Sequence, residues 1–219
     1  TGSNGILVPP DDYWPRLREI TQKYGILLVS DEVMSGFGRT GEWFAVDHWG
    51  VVPDIMTIAK GLTSGYVPLG GVVVSDAIAR YFDDKMLYMG LTYYGHPLAC
   101  AAGIATLNVY KEENLIEKSK RLGELLQHEL DEIKSRHEVV GDVRSIGLFS
   151  VIELVSDRAS KEPLGQDAMN QIRKELLEAG LSTYINKNMV FACPPLVISQ
   201  DELLFGLRLV ENAISPFDR

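Results

Sequence analysis

Two apolar runs that do not alternate with polar residues constrain this chain more than any other feature. Gly25-Ile-Leu-Leu-Val-Ser-Asp-Glu-Val33 carries its run into Asp31, and Ile55-Met-Thr-Ile-Ala-Lys60 carries apolar or β-branched residues straight into Lys60. Strands that read as continuous apolar runs are those covered on both faces, as in the parallel sheets of α/β proteins. Open α/β sheets bind ligands along the edge formed by the carboxyl ends of their strands. Asp31 and Lys60 would both stand on that edge, a carboxylate and an amine facing one ligand. Singly, neither carries much: an aspartate after a strand is most often a structural cap, and a lysine most often a solvated surface group.

The rest of the chain fits an α/β reading. Ile6-Leu-Val-Pro-Pro10 reads as the end of a buried strand stopped by prolines, and Asp11 or Asp12 as the cap of a helix over 13–24 with Leu17, Ile20 and Tyr24 on one face. That order predicts a right-handed parallel crossover into the strand at 26–30. Ser35-Gly-Phe-Gly-Arg-Thr-Gly41 is a glycine-rich loop, 43–46 a helical turn, 69–75 a further strand, and 75–82 and 98–110 helices. A long amphipathic helix spans 115–136 with Leu115, Leu122, Leu126, Leu130 and Ile133 as its stripe. Beyond it, a strand within 144–155, a polar loop over 156–165, a helix over 166–180, strands at 181–185 and 189–192, and a Ser199-capped helix read as a small α+β domain. The expected division is a partial large domain over 1–110 and a small domain over 111–219.

Composition removes some functions. A formal charge of −9 opposes nucleic-acid binding, which needs a basic face, and no apolar run approaches the length that spans a bilayer. Cys100 and Cys193 lie far apart and the four histidines show no ligand spacing, so reduced thiols in a cytoplasmic protein are expected rather than a disulfide framework or metal site. Ala59-Lys-Gly-Leu-Thr-Ser-Gly65 does not match a P-loop, and Gly36-Phe-Gly-Arg-Thr-Gly41 neither opens from a strand nor leads into a helix as a dinucleotide fingerprint does.

Pyridoxal 5'-phosphate requires the pair that remains. Its aldehyde needs a lysine amine for a Schiff base, and its ring nitrogen needs an acid partner to stay protonated. A lysine in such a site can also act as general base for a proton shift. Val33, two residues past Asp31, is placed either to pack on a flat ring or to serve as plain core.

Leu28-Val-Ser-Asp-Glu-Val-Met-Ser-Gly-Phe-Gly-Arg-Thr-Gly41, its spacing to Pro53-Asp-Ile-Met-Thr-Ile-Ala-Lys-Gly61, and Thr92-Tyr-Tyr-Gly-His-Pro97 together resemble the class III pyridoxal-phosphate-dependent aminotransferases. The resemblance runs through Cys193-Pro-Pro-Leu-Val-Ile-Ser199, and its nearest subgroup is the ω-amino-acid:pyruvate one, which includes taurine–pyruvate enzymes. It implies a fold-type I architecture, a mostly parallel large-domain sheet and a C-terminal α+β domain. It further implies that Lys60 forms the Schiff base, Asp31 partners the ring nitrogen, and Val33 packs on the ring. Thr92 would bind the cofactor phosphate across a homodimer interface. The implied reaction is ping-pong transfer of an amino group to an oxo-acid such as pyruvate.

Two departures stand out. Relatives often carry a carboxylate-binding arginine before the Pro-Pro segment, but Gly180-Leu-Ser-Thr-Tyr-Ile-Asn-Lys-Asn188 has none, leaving Lys187 as a possible point charge. Family members also run longer at the N-terminus, so the chain reads as their C-terminal portion. A catalytically silent fragment or dimerisation module, and another fold-type I activity such as a decarboxylase or aminomutase, remain alternatives.

Overall fold

The computed structural model describes Gly2 and residues 4–218, and the chain separates into two compact units. One is Pro9–Ile116; the other takes Glu117 onward together with the residues up to Val8.

In Pro9–Ile116 the sheet has the order β1-β2-β3, with β1 at Val29–Asp31, β2 at Ile55–Ile58 and β3 at Gly71–Val74. β1 and β2 run parallel with Asp31 opposite Thr57, and β3 returns antiparallel with Gly71 opposite Ile58. The fold is α/β, and the parallel pair sets both strand ends on one edge. Helix α1 spans Tyr13–Lys23, α2 spans Asp76–Tyr81 and α3 spans Pro97–Glu112.

Several local expectations for this unit need correction. Asp12 occupies the N-cap position of α1 but its side chain makes no capping bond; the carboxylate pairs instead with Arg16 one turn on, at 3.2 Å. The expected inner face of α1 is largely exposed, Ile20 at 49% and Tyr24 at 66%, and Thr21 is buried instead. What anchors the helix is polar. Arg18 donates twice to Asp54, at 2.6 and 3.1 Å, and Asp54 also accepts the Leu28 amide at 2.7 Å. That one carboxylate therefore ties α1 to the starts of β1 and β2. The sheet is also barer than a doubly covered one: Val29, Val72 and Val73 are each more than half exposed.

Residues 6–10 form no strand and no crossover. Ile6 sits in a turn closed by its amide on the Gly2 carbonyl, with φ of +50°, and is fully buried among Phe149, Val151, Met189 and Phe191 of the other unit's own core.

That second unit is built on α4 (Leu115–Arg136), whose Leu122, Leu126, Leu130 and Ile133 are at most 2% exposed. Strand β4 is Val140–Ile146, β5 Phe149–Asp157, β6 Glu162–Pro163, β7 Ile185–Asn186 and β8 Met189–Ala192. They pair antiparallel in the order β4-β5-β8-β7, with β6 on β5. The strand expected within 144–155 is β5, and it is the second arm of a hairpin with β4, because Gly147 supplies the positive φ of +58° that reverses the chain. α4 lies hard against that turn: a Cβ on Gly123 would come within 2.5 Å of the Gly147 Cα. The strand expected at 181–185 begins only at Ile185, and Lys187 turns the chain at φ of +53° with its side chain exposed.

Helices α5 (Gln166–Glu178) and α6 (Gln200–Ile214) complete the unit. The Ser199 cap forms as a reciprocal box, its hydroxyl accepting the Glu202 amide at 3.2 Å and Glu202 accepting the Ser199 amide at 2.8 Å. Past α6, Asp218 is clasped by His137 and by the Val139 amide, while Glu211 accepts from the other His137 ring nitrogen at 3.0 Å. Burial alone would lower the His137 pKa, but the hydrogen bonds to Asp218 and Glu211 outweigh it and hold it above the ordinary value. Among the described residues no helix is long and apolar enough to cross a membrane.

Candidate active site

β1 ends at Asp31 and β2 delivers its chain, through Ala59, to Lys60. Because the strands are parallel neighbours with Asp31 opposite Thr57, both groups lie toward the same edge of the sheet, Lys60 three residues past the position level with Asp31. Both side chains are exposed. Asp31 is oriented from two sides, since its Oδ1 accepts the Val33 amide at 3.0 Å and the Thr57 hydroxyl at 3.1 Å. Its Oδ2 has no protein donor among the described residues. Val33, whose amide makes one of these bonds, is half-buried.

Lys60 has a φ of +44°, in the left-handed region that non-glycine residues seldom occupy. It opens a short 3₁₀ turn, Lys60–Leu62, in which the Leu62 amide bonds the Ala59 carbonyl at 3.0 Å and the Thr63 amide bonds the Lys60 carbonyl at 3.2 Å. The next residue must be glycine because of what lies against it. A Cβ on Gly61 would lie 2.8 Å from the Phe37 Cβ. Tyr110, near the end of α3, donates its hydroxyl to the Gly61 carbonyl at 2.9 Å, and its ring stacks on Phe37 at 6.1 Å. Burial pushes the Tyr110 phenol up, partly offset by the Arg39 cation. The amine of Lys60 makes no ion pair among the described residues.

Three residues that matter here were not picked out from sequence. Tyr110 looked like one position on a small-residue helix, and nothing in its spacing signals a bond to Gly61, 49 residues away. Phe37 was one letter in a glycine-rich loop, although an aromatic held at φ of +56° between glycines is unusual. Glu32 follows Asp31 directly and is 1% exposed. Its carboxylate accepts from Ser30 and Val46 at Oε1, 3.3 and 3.0 Å, and from Ser35 and Ala45 at Oε2, 2.6 and 3.0 Å. A polar residue after a strand-end aspartate was the only available clue. Thr92, by contrast, lies in an exposed turn over 92–95, and among the described residues no hydrogen bond joins it to Asp31 or Lys60.

The description "Aminotransferase class-III" matches residues 1–214. Among curated relatives, putrescine–pyruvate aminotransferase from Pseudomonas aeruginosa is 41% identical over 205 residues, covering 92% of this chain and 45% of that protein. Leucine/methionine racemase from Thermococcus litoralis is 37% identical over 219 residues, covering 99% of this chain and 48% of its own length. A solved structure of taurine:2-oxoglutarate aminotransferase from Bifidobacterium kashiwanohense, in complex with PLP and glutamate, superposes with a TM-score of 0.93 at 42% identity. It covers 98% of this chain and 49% of that one. The chain spans about half the length of the curated relatives it matches.

Proposed function

The chain belongs to the aminotransferase class-III family, and from that premise we propose that it serves a pyridoxal 5'-phosphate-dependent transfer of an amino group from an ω-amino acid or amine to an oxo-acid such as pyruvate. The observation that carries this reading is the amine–carboxylate pair at adjacent parallel strand ends. A donor set of one unpaired amine and one carboxylate with a spare oxygen fits the cofactor's aldehyde and its ring nitrogen.

When bound, the cofactor supplies an aldehyde that takes up amines and a ring that draws electrons from the substrate carbon. Lys60 would hold it through Nζ, give way to the incoming amine, and then carry a proton on the same nitrogen. Asp31 Oδ2 would accept the ring N–H, steadied at Oδ1 by Val33 and Thr57. Val33 would pack on the ring. Thr92 would reach the phosphate of a second copy in a homodimer, in keeping with its exposure on its own chain. The proposed compartment is the cytoplasm, in keeping with two cysteines that form no disulfide.

The test is to add cofactor to the full-length protein, reduce with borohydride, and digest. The reading expects the added mass on the peptide holding Lys60, and loss of the lysine-bound absorption band in Lys60→Ala. Label on a different lysine would sink the assignment. The racemase relative favours a second reading, in which the same lysine serves racemisation or another carbanion reaction. Turnover of putrescine or taurine with pyruvate, against loss of optical activity in leucine or methionine, separates the two.

A further inference from the structure

We propose that Glu32 is a positioning residue: its buried carboxylate sets both Asp31 and the Lys60 turn, by fixing the chain that leaves β1, which holds Asp31 through the Val33 amide and meets Gly61 through Phe37. The inference rests on the reading of Lys60 and Asp31 given above but makes a claim about the chain that holds with or without cofactor.

Glu32 leaves β1 with its amide still on the ladder, bonded to the Thr57 carbonyl at 2.9 Å, while its own carbonyl accepts the Gly36 amide at 3.0 Å. The side chain then gathers Ser30, Ser35, Ala45 and Val46, so it fastens both ends of the 35–46 segment to the end of β1. A buried carboxylate that accepts four hydrogen bonds has its oxygens satisfied by them, and each bond is directional. Two consequences follow. First, Glu32 is flanked by Asp31 and Val33, and the Val33 amide that orients Asp31 Oδ1 is offered only while the chain leaves the strand along this path. Second, the segment so fastened carries Phe37, which is pinned by its amide on the Trp43 carbonyl at 2.7 Å and lies directly against Gly61. Phe37 leaves no room for a side chain at 61 and stacks on the Tyr110 that bonds the Gly61 carbonyl. The route from Glu32 to Lys60 is therefore continuous: carboxylate, loop, Phe37, Gly61.

The substitution Glu32→Gln keeps the shape and removes the charge. Whichever way the amide is turned, its NH₂ group meets the N–H of Ala45 or of Val46, and one buried donor loses its acceptor. Amide hydrogen exchange on the cofactor-free protein is measured first. Positioning expects at least 10-fold faster exchange at Leu62 and Thr63, as well as at Ala45 and Val46. On the cofactor-loaded protein it expects at least 10-fold faster cofactor release and a shift in the pH at which the lysine-bound absorption band changes. Faster exchange confined to 35–46, with Leu62, Thr63 and the pH midpoint unmoved, overturns the proposal and leaves Glu32 a merely structural group. Leu130→Ala, which lowers stability from the other unit, is the control and should leave both spectral readouts unchanged. If Glu32→Gln does not fold, Phe37→Leu interrupts the same route further on. It should loosen Leu62 and Thr63 while sparing Ala45 and Val46, and unchanged exchange at Leu62 overturns the proposal. A wild-type protein that takes up no cofactor defeats the proposed function, and the exchange data on the cofactor-free protein still decide the role of Glu32.

Discussion

The two sheets are held together by different physics. In the unit from Glu117 onward, β5 is buried along most of its length and α4 presses a full apolar stripe inward. In Pro9–Ile116, the strands leave Val29, Val72 and Val73 more than half exposed, and order comes from Asp54, Glu32 and an aromatic cluster. Burial of apolar area is non-directional, so it stabilises a unit without aiming any particular atom. Hydrogen bonds to a buried or half-buried carboxylate are directional, and they aim the chain. The unit that carries the candidate chemistry adds directional contacts of this kind to the buried Leu28, Phe37, Val46 and Tyr110.

The contrast can be broken at several points, the largest effect first. Leu130→Ala empties a fully buried site and should cost about 2–5 kcal/mol in urea unfolding followed by circular dichroism, whereas Val73→Ala on exposed β3 should cost less than about 1 kcal/mol. Equal losses would end the comparison. Asp54→Ala strips Arg18 and the Leu28 amide of their acceptor, and a loss of about 1.5–3 kcal/mol is expected. All three tryptophans, Trp14, Trp43 and Trp49, lie in Pro9–Ile116, so fluorescence should report that loss selectively. The hydrogen bond from Arg18, then that from the Leu28 amide, hold the Asp54 carboxyl below its ordinary range. Its stabilising effect is thus present above the unfolded pKa, near 4, and fades as pH falls through the folded value.

Gly123→Ala sharpens the comparison from the other side. Its new methyl meets Gly147 backbone, which cannot rotate away, and about 1–3 kcal/mol should be lost with the Lys60 turn unaffected. The smallest effect is a pH effect in the apolar unit. His137 is held above its ordinary pKa, so its clasp on Asp218 and Glu211 acts fully below about pH 6.5 and is lost as pH rises through the folded value. A loss on the order of 1 kcal/mol on raising the pH, absent in His137→Gln, is expected from thermal unfolding.

Legibility in the sequence followed the same divide. The α4 stripe and the Ser199 cap were readable because 3.6-residue periodicity and a serine just before a helix are local signals. The strand that ends at Asp31 and the one that stops at Ile58, two residues before Lys60, were readable because apolar runs announce strands. Glu32, Phe37 and Tyr110 were not, because what defines them is a partner 13 to 49 residues distant. The α1 face was misread for a related reason: its apolar spacing was real, but Arg18–Asp54, a contact 36 residues long, is what anchors it. Ile6 misled in the opposite direction, since apolar residues before prolines resemble a strand end and a buried turn alike.

The backbone at position 60 suits glycine better than lysine. Left-handed geometry costs a side chain about 1–2 kcal/mol that glycine does not incur. A library of variants sorted only for folded protein should therefore enrich Lys60→Gly, and one sorted for amine chemistry should eliminate it. The two rankings would diverge most at this residue, making position 60 a place where drift and selection pull the same codon in opposite directions.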